Sequence, residues 1–153
     1  NKNERSFFWR LSVSENIIFF NSLLKKPSTK SNIQKKVDFL DINNLMSRRF
    51  GSLSSGEKTK ILILRSLIKN PKLIFFDEVM SALDIESKKM VMHYVKKINS
   101  EGVTIIWVTH SMDEIDALCN RFIIMKEGRI YSQKDNDEIS LKPSEFIYSV
   151  LSK

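Results

Sequence analysis

The most constraining feature of this 153-residue chain is a short apolar run that ends in two adjacent carboxylates. Residues 73–76 read Leu-Ile-Phe-Phe, and Asp77 and Glu78 follow them directly. A run this short, placed after Pro71, predicts a strand that is buried on both faces. Open α/β sheets bind ligands at the carboxyl ends of their strands, where these acids would lie. The pair therefore predicts a functional site, and a strand end with two solvated acids is the alternative.

Composition describes an ordinary globular protein and excludes several classes. The chain is 42% hydrophobic and 28% charged, and its length suits about one domain. Its single cysteine, Cys119, excludes a disulfide framework and a multi-cysteine zinc site. No apolar run is long enough to cross a bilayer. The formal net charge of +7 suits an anionic partner, although the doubled lysines that contribute to it are also typical of solvated helix faces.

Hydrophobic periodicity predicts helices that alternate with strands in the second half of the chain. Helices are expected at 14–24, 32–41, 54–69, 85–99 and 144–151, with a short one after Ser111. Strands are expected at 73–76, 103–108 and 122–125, with a tight turn at Glu127-Gly128 into a last strand at 129–131. This alternation predicts an α/β fold with a largely parallel sheet, preceded by a strand-free helical subdomain.

Side chains at the predicted helix and strand ends suit phosphate chemistry. The Ser54-Ser55-Gly56 turn opens a helix, so its N–H groups and hydroxyls would face an anion with the helix dipole behind them. Asp77 can hold Mg²⁺ through water, because Mg²⁺ dehydrates reluctantly. Glu78 can orient and deprotonate a water that attacks a γ-phosphate. His110, at the tip of the next strand, can donate to that phosphate or to the water.

The order of these motifs resembles part of the ATPase domain of ATP-binding cassette (ABC) transporters. The sequence Leu53-Ser54-Ser55-Gly56-Glu57 is similar to the signature motif, usually Leu-Ser-Gly-Gly-Gln, and keeps its second glycine. Residues 73–77 resemble the Walker B strand, and Glu78 matches the catalytic glutamate that follows it. Ser81-Ala82-Leu83-Asp84 resembles the D-loop, and His110 matches the H-loop.

The resemblance implies an incomplete P-loop NTPase-type α/β sheet flanked by helices, with an inserted helical subdomain. Residues 1–50 would form that subdomain, residues 51–135 the core with the four motifs, and residues 136–153 a C-terminal helix. ATP and Mg²⁺ would be the cofactors. Glu78 and His110 would be catalytic, and Asp77 would bind the metal.

Family members pair their ATPase domains head to tail, so the resemblance also implies a second ATPase domain as partner. Residues 53–57 would then contact the ATP held by that second domain, and Ser81 and Asp84 would belong to the same interface. The domain would act at the cytoplasmic face of the cell membrane, peripherally, and no nucleic-acid partner is expected.

The N-terminal residues carry a narrower resemblance. Residues 4–11, followed by Glu15-Asn16, are similar to ATPases that serve ABC-2-type exporter permeases, which implies export through a separate membrane permease. Counting back from Leu11 places Asn3 at the usual Q-loop glutamine. An aromatic patch that packs the helical subdomain is the structural interpretation of the same stretch.

The chain contains no Gly-x-x-x-x-Gly-Lys-Ser/Thr sequence, the P-loop that cradles phosphates. We therefore expect a fragment or a truncated product that does not hydrolyse ATP alone. Three alternatives remain: a chromosome ATPase of the SMC or Rad50 type, a soluble translation-associated ABC ATPase, and a degenerate module that only binds a partner. No sustained heptad pattern, which the chromosome ATPases would require, precedes Leu53.

Overall fold

The structure, a computed structural model, describes residues 7–152. The Q-loop prediction for Asn3 therefore lies outside the described residues. The α-helices are α1 (Val13–Ser22), α2 (Lys30–Phe39), α3 (Ser55–Leu67), α4 (Ile85–Ser100), α5 (Met112–Leu118) and α6 (Pro143–Leu151). The strands are β1 (Leu73–Asp77), β2 (Thr104–Val108), β3 (Arg121–Lys126) and β4 (Arg129–Asp135). All the predicted helices and strands are confirmed, with ends shifted by a few residues.

The strands form two small sheets. Strands β1 and β2 are hydrogen-bonded neighbours, and the Thr104 N–H donates to the Lys72 carbonyl while the Glu78 N–H donates to the Val108 carbonyl, both at 2.9 Å. Because both bonds advance in the same direction along the two strands, the pair is parallel, as predicted. Strands β3 and β4 form an antiparallel hairpin.

The hairpin turns where the sequence predicts it. Glu127 and Gly128 both have positive φ angles, 52° and 74°, between the paired residues Lys126 and Arg129. Two consecutive residues with positive φ are the requirement of a type I′ turn, whose twist matches that of the flanking strands. The Glu-Gly pair therefore sets the pairing next to the turn, and the register shifts once further along, between Ile124 and Met125.

Strand β1 does not have the burial that the sequence predicts. Ile74 and Phe76 are buried, but Leu73 and Phe75 are 57% and 61% exposed. Successive side chains of a strand point to opposite faces, and the described residues cover only one face of β1. The prediction of a strand buried on both faces is therefore wrong for this structure.

The chain divides into two compact units. One contains the described residues up to Ile74 together with Val79–Ile105, and the other contains Phe75–Glu78 and the residues from Ile106 onwards. In the first unit, α1 and α2 pack on α3. In the second unit, Phe122, Ile124 and Ile147 form the buried centre of the packing between the hairpin and α6. The predicted boundaries at residues 50 and 135 remain predictions.

The aromatic residues near the N-terminus pack the helical part of the first unit. Phe7 is buried and stacks on Phe50, with ring centroids 4.2 Å apart. Fully buried Asn16 organises the segment, because its Oδ1 accepts the Phe8 N–H at 2.8 Å and its Nδ2 donates to the Phe8 and Ser12 carbonyls. The structural interpretation of this stretch is confirmed for Phe7, whereas Phe8 and Trp9 are about half exposed. None of the helices in residues 7–152 is long and apolar enough to cross a membrane.

Candidate functional site

Glu78 and His110 meet at the ends of the parallel strands. Glu78 directly follows β1, His110 lies two residues beyond β2, and the Glu78 Oε1 atom is 3.0 Å from the His110 Nε2 atom. The side chains are 50% and 91% exposed, respectively. The sequence analysis places these two residues at the ends of successive strands, and the structure brings their side chains into contact. An exposed pair at this distance contributes little to stability.

The backbone at Glu78 sets the direction of its side chain. Its φ angle is 47°, in the left-handed region that non-glycine residues seldom adopt, and its N–H is held by the Val108 carbonyl. Such conformations cost about 1–3 kcal/mol and cluster at active sites. The sequence contains no indication of this conformation, because glutamate is not among the residues that favour it.

Asp77 is the candidate metal ligand. It is the last residue of β1 and is exposed beside Glu78. Residues 7–152 contain no group of three or more His, Cys, Asp or Glu side chains placed to hold a metal ion. Mg²⁺ is commonly bound through one or two carboxylates, with waters and substrate phosphates filling the other positions. The donor set at this strand end therefore fits a Mg²⁺ that arrives with a nucleotide, and it does not fit a cage made by the protein alone.

The signature-like segment forms the beginning of α3. Leu53 is buried, and Ser54 is the N-cap residue, whose Oγ accepts the Glu57 N–H at 3.2 Å. Glu57 completes a capping box, since its Oε2 accepts the Ser54 N–H at 2.7 Å. This hydrogen bond, and then the nearby Arg48 guanidinium, hold the pKa of Glu57 below its ordinary value. The predicted helix start at Ser54 is confirmed, with its hydroxyl-bearing turn at the surface.

The two middle positions of the segment have different surroundings. Ser55 is exposed at the first residue of α3. At Gly56 an added Cβ would lie 3.0 Å from the backbone carbonyl of Ala82, tighter than ordinary contacts. A side chain is therefore accommodated at 55 and is crowded at 56. The same contact brings the start of α3 against the D-loop-like segment.

In the D-loop-like segment, Asp84 has a defined structural role. It is the N-cap of α4, where its Oδ1 accepts the Ser87 N–H at 2.8 Å and its Oδ2 accepts the Ser87 hydroxyl at 2.9 Å. These bonds hold the pKa of Asp84 below its ordinary value. Ser81 is exposed on the turn before it. The structure thus fixes the position of the segment, while its predicted role at an interface stays a prediction.

The structure places two further residues near these groups, and the sequence did not predict the contacts that they make. From the sequence, Arg48 could steer phosphate but is more typical of a solvated loop; in the structure it forms an ion pair with Glu57, with 2.6 Å between Nη1 and Oε1. Glu114 is buried and accepts the Trp107 indole N–H at 2.9 Å, which ties α5 to β2 just beyond His110. A basic residue ahead of an acidic signature position is the one indication that could have found Arg48.

Comparison with known proteins supports one family. A family model described as ABC transporter matches residues 1–81. Methionine import ATP-binding protein MetN 2 of Acinetobacter baylyi is 34% identical over 132 residues, which is 82% of this chain and 39% of that protein. Spermidine/putrescine import ATP-binding protein PotA of Clostridium novyi is 30% identical over 141 residues, which is 90% of this chain and 41% of that protein. The chain spans less than half the length of these relatives.

Solved structures agree with the fold. The structure of cbiO1 from Clostridium perfringens, part of the ABC transporter complex cbiONQ, superposes with a TM-score of 0.73 at 26% identity and covers 99% of this chain and 61% of that one. A dimeric bacterial ABC transporter cassette gives a TM-score of 0.74 at 22% identity, over 85% of this chain and 59% of the other. The predicted α/β fold is confirmed. Because the family model matches more than half of its residues, this chain belongs to the ABC transporter family and carries part of the ATP-binding domain.

Proposed function

We propose that this chain is part of the ATP-binding subunit of an ABC transporter, in which ATP hydrolysis drives transport through a separate membrane permease. The observation that carries the proposal is the meeting of Glu78 and His110, 3.0 Å apart at the ends of two parallel strands, with Asp77 beside them. The family assignment supplies ATP as the substrate on which such groups act.

Each side chain at the strand ends has a separate role in this proposal. Glu78 accepts a proton from the attacking water. His110 holds the Glu78 carboxylate in place. It would also donate a hydrogen bond to the γ-phosphate or to the attacking water. Asp77 would hold Mg²⁺, which when bound would supply positive charge to the phosphate oxygens. The protein's own contribution is to orient water and to remove its proton.

The signature segment serves a second ATP in this proposal. Ser54, Ser55 and Gly56 present hydroxyls and N–H groups at the start of α3, where the helix dipole favours an anion. In a head-to-tail dimer these groups would contact ATP held by the partner domain, and Ser81 and Asp84 would lie at the same interface. A similar cassette has been solved as a dimer, which supports this assembly.

No transport direction and no cargo are assigned to this chain. The sequence predicted an ABC-2-type exporter, but the similar proteins whose names state a direction are import ATP-binding proteins. The comparisons therefore do not support export. Their named cargoes are spermidine or putrescine, molybdenum and methionine, and this diversity at similar identity assigns none of them to this chain. A peripheral position at the cytoplasmic face of the membrane follows from the proposed permease partner.

Replacement of Glu78 by Gln tests the proposal in the full-length gene product. The amide keeps the size of the side chain and its contact with His110 but no longer accepts a proton from water. We expect ATP binding to persist and turnover to fall by about 10² to 10⁴-fold, the usual contribution of a general base. Glu86→Gln is the control, because Glu86 is an exposed carboxylate in the first turn of α4. Wild-type turnover in the Glu78→Gln variant would refute the role of Glu78.

The alternative functions gain no support of their own. The similar proteins reported above carry transporter names, and none is described as a chromosome or translation ATPase. A module that only binds a partner would not need Glu78 and His110 in contact. Measured ATP turnover in the full-length product, together with its loss in the Glu78→Gln variant, separates a hydrolysing subunit from such a module.

A further inference from the structure

An acidic residue stands in the turn that is proposed to bind phosphate. Glu57 occupies the position where the signature motif usually has glutamine, in the first turn of α3. Its Oε2 atom already accepts the Ser54 N–H at 2.7 Å. A carboxylate at this position stabilises the helix, because it completes the capping box and complements the helix dipole. The same negative charge repels a phosphate that approaches the same turn.

Arg48 supplies the opposite charge from the preceding loop. Its Nη1 atom lies 2.6 Å from Glu57 Oε1, and its Nη2 donates to the Ser52 carbonyl at 3.1 Å. One planar guanidinium thus contacts both the acidic side chain and the backbone that leads into the turn. The Arg48 and Glu57 side chains are 42% and 28% exposed, so water screens the pair only in part. The turn therefore presents hydroxyls and N–H groups with no uncompensated negative charge.

We propose that Arg48 is a positioning residue for the ATP bound at the signature turn, acting by neutralising Glu57 and holding it in the capping box. The inference rests on the proposed function, because it concerns ATP at that turn. It assigns no direct contact between Arg48 and the nucleotide. The proposal predicts that Arg48 affects ATP binding only as long as residue 57 carries a negative charge.

A double-mutant cycle in the full-length gene product tests this interaction, with the apparent KM for ATP and kcat as the measurements. In Arg48→Met, which keeps an apolar stem, we expect the KM to rise about tenfold, the size expected for one unpaired charge near phosphate in a partly exposed site. Glu57→Gln provides the background in which residue 57 carries no charge, and its own KM and kcat are the reference for the double variant, because glutamine also completes a capping box. Adding Arg48→Met to Glu57→Gln should then raise the KM by less than twofold.

Two further variants separate charge from folding. Arg49→Met removes the same charge from the neighbouring exposed position and should leave the KM within twofold of the wild type. Arg48→Lys keeps the charge and should raise the KM by no more than about threefold. It also provides a folded comparison if Arg48→Met is unstable. Because the interaction is electrostatic, the loss in Arg48→Met should shrink in 0.5 M salt.

Equal losses from Arg48→Met in the wild-type and Glu57→Gln backgrounds would overturn the inference, since they would mean that Arg48 contacts phosphate directly or only supports the loop. A wild-type product that neither binds nor hydrolyses ATP would overturn the proposed function and this inference with it. A wild type that turns over ATP, with a loss in Arg48→Met that vanishes in the Glu57→Gln background, is the result we expect.

Discussion

Phe50 offers a quantitative test of the packing that supports the signature segment. Its side chain is fully buried, it stacks on Phe7 at 4.2 Å, and it lies three residues ahead of Leu53. Replacing it with leucine removes about 40 Å² of buried apolar surface, which is worth about 1 kcal/mol. Loss of the aromatic contact adds about 0.5–1.5 kcal/mol. We therefore expect Phe50→Leu to lower the free energy of unfolding by about 2 kcal/mol.

Urea denaturation followed by circular dichroism measures this loss. The matched control is Phe8→Leu, because Phe8 lies in the same unit, contacts Phe19 edge to face, and is 45% exposed. About half of the surface term remains in the control, and with the lower end of the aromatic term for its partly exposed contact with Phe19 we expect it to lose about 1 kcal/mol. A midpoint shift in Phe50→Leu no larger than in Phe8→Leu would refute the assignment of Phe50 to the core. An unchanged slope is required for the comparison.

Two other predictions concern the second unit and the isolated chain. In Asp116→Asn, the carboxylate that accepts the Ser144 hydroxyl at 2.6 Å and its N–H at 2.9 Å is lost, so stability should fall by about 1 kcal/mol. These bonds lower the pKa of Asp116, so its contribution to stability is present above about pH 4 and is lost as the pH falls through its lower pKa in the folded state. Between pH 6 and pH 3, the thermal midpoint should therefore fall less in Asp116→Asn than in the wild type. Parallel curves of midpoint against pH would contradict this. The polypeptide 1–153 alone should show no ATP turnover above background in a phosphate-release assay, because it contains no P-loop sequence; turnover that Glu78→Gln abolishes would contradict that expectation.

Local sequence patterns predicted most of the helices and strands because the residues that start, pattern and end each element lie within or next to it. The helix that begins at Ser54 has a capping residue, a glutamate three positions later and an apolar stripe, and all three agree. The Glu127-Gly128 turn is set by two residues. Strand order placed Glu78 and His110 at the same edge of the sheet, since parallel neighbouring strands end there, but the contact between the two side chains is seen only in the structure.

Features that depend on long-range contacts or on unusual backbone were not predictable. The exposure of Leu73 and Phe75 depends on which residues cover the sheet, and an apolar run does not carry that information. The Arg48–Glu57 pair joins a loop to a helix nine residues later, and arginine in a loop is most often solvated. The left-handed backbone of Glu78 occurs together with a hydrogen bond from its N–H to Val108 on the neighbouring strand, and glutamate by itself does not indicate this conformation.

The exposure of Glu78 and His110 means that their proposed role in catalysis can be tested separately from any role in stability. Because Glu78 and His110 are both largely in water, their contact adds little to the free energy of folding. General-base catalysis on a bound water nevertheless benefits from a site that excludes bulk solvent. In the proposed head-to-tail dimer, closure of the partner domain over the strand ends would supply that exclusion. The Glu78→Gln variant should therefore unfold at the same urea concentration as the wild type while losing turnover. A parallel loss of stability would mean that Glu78 supports the fold, and the argument for its catalytic role would then fail.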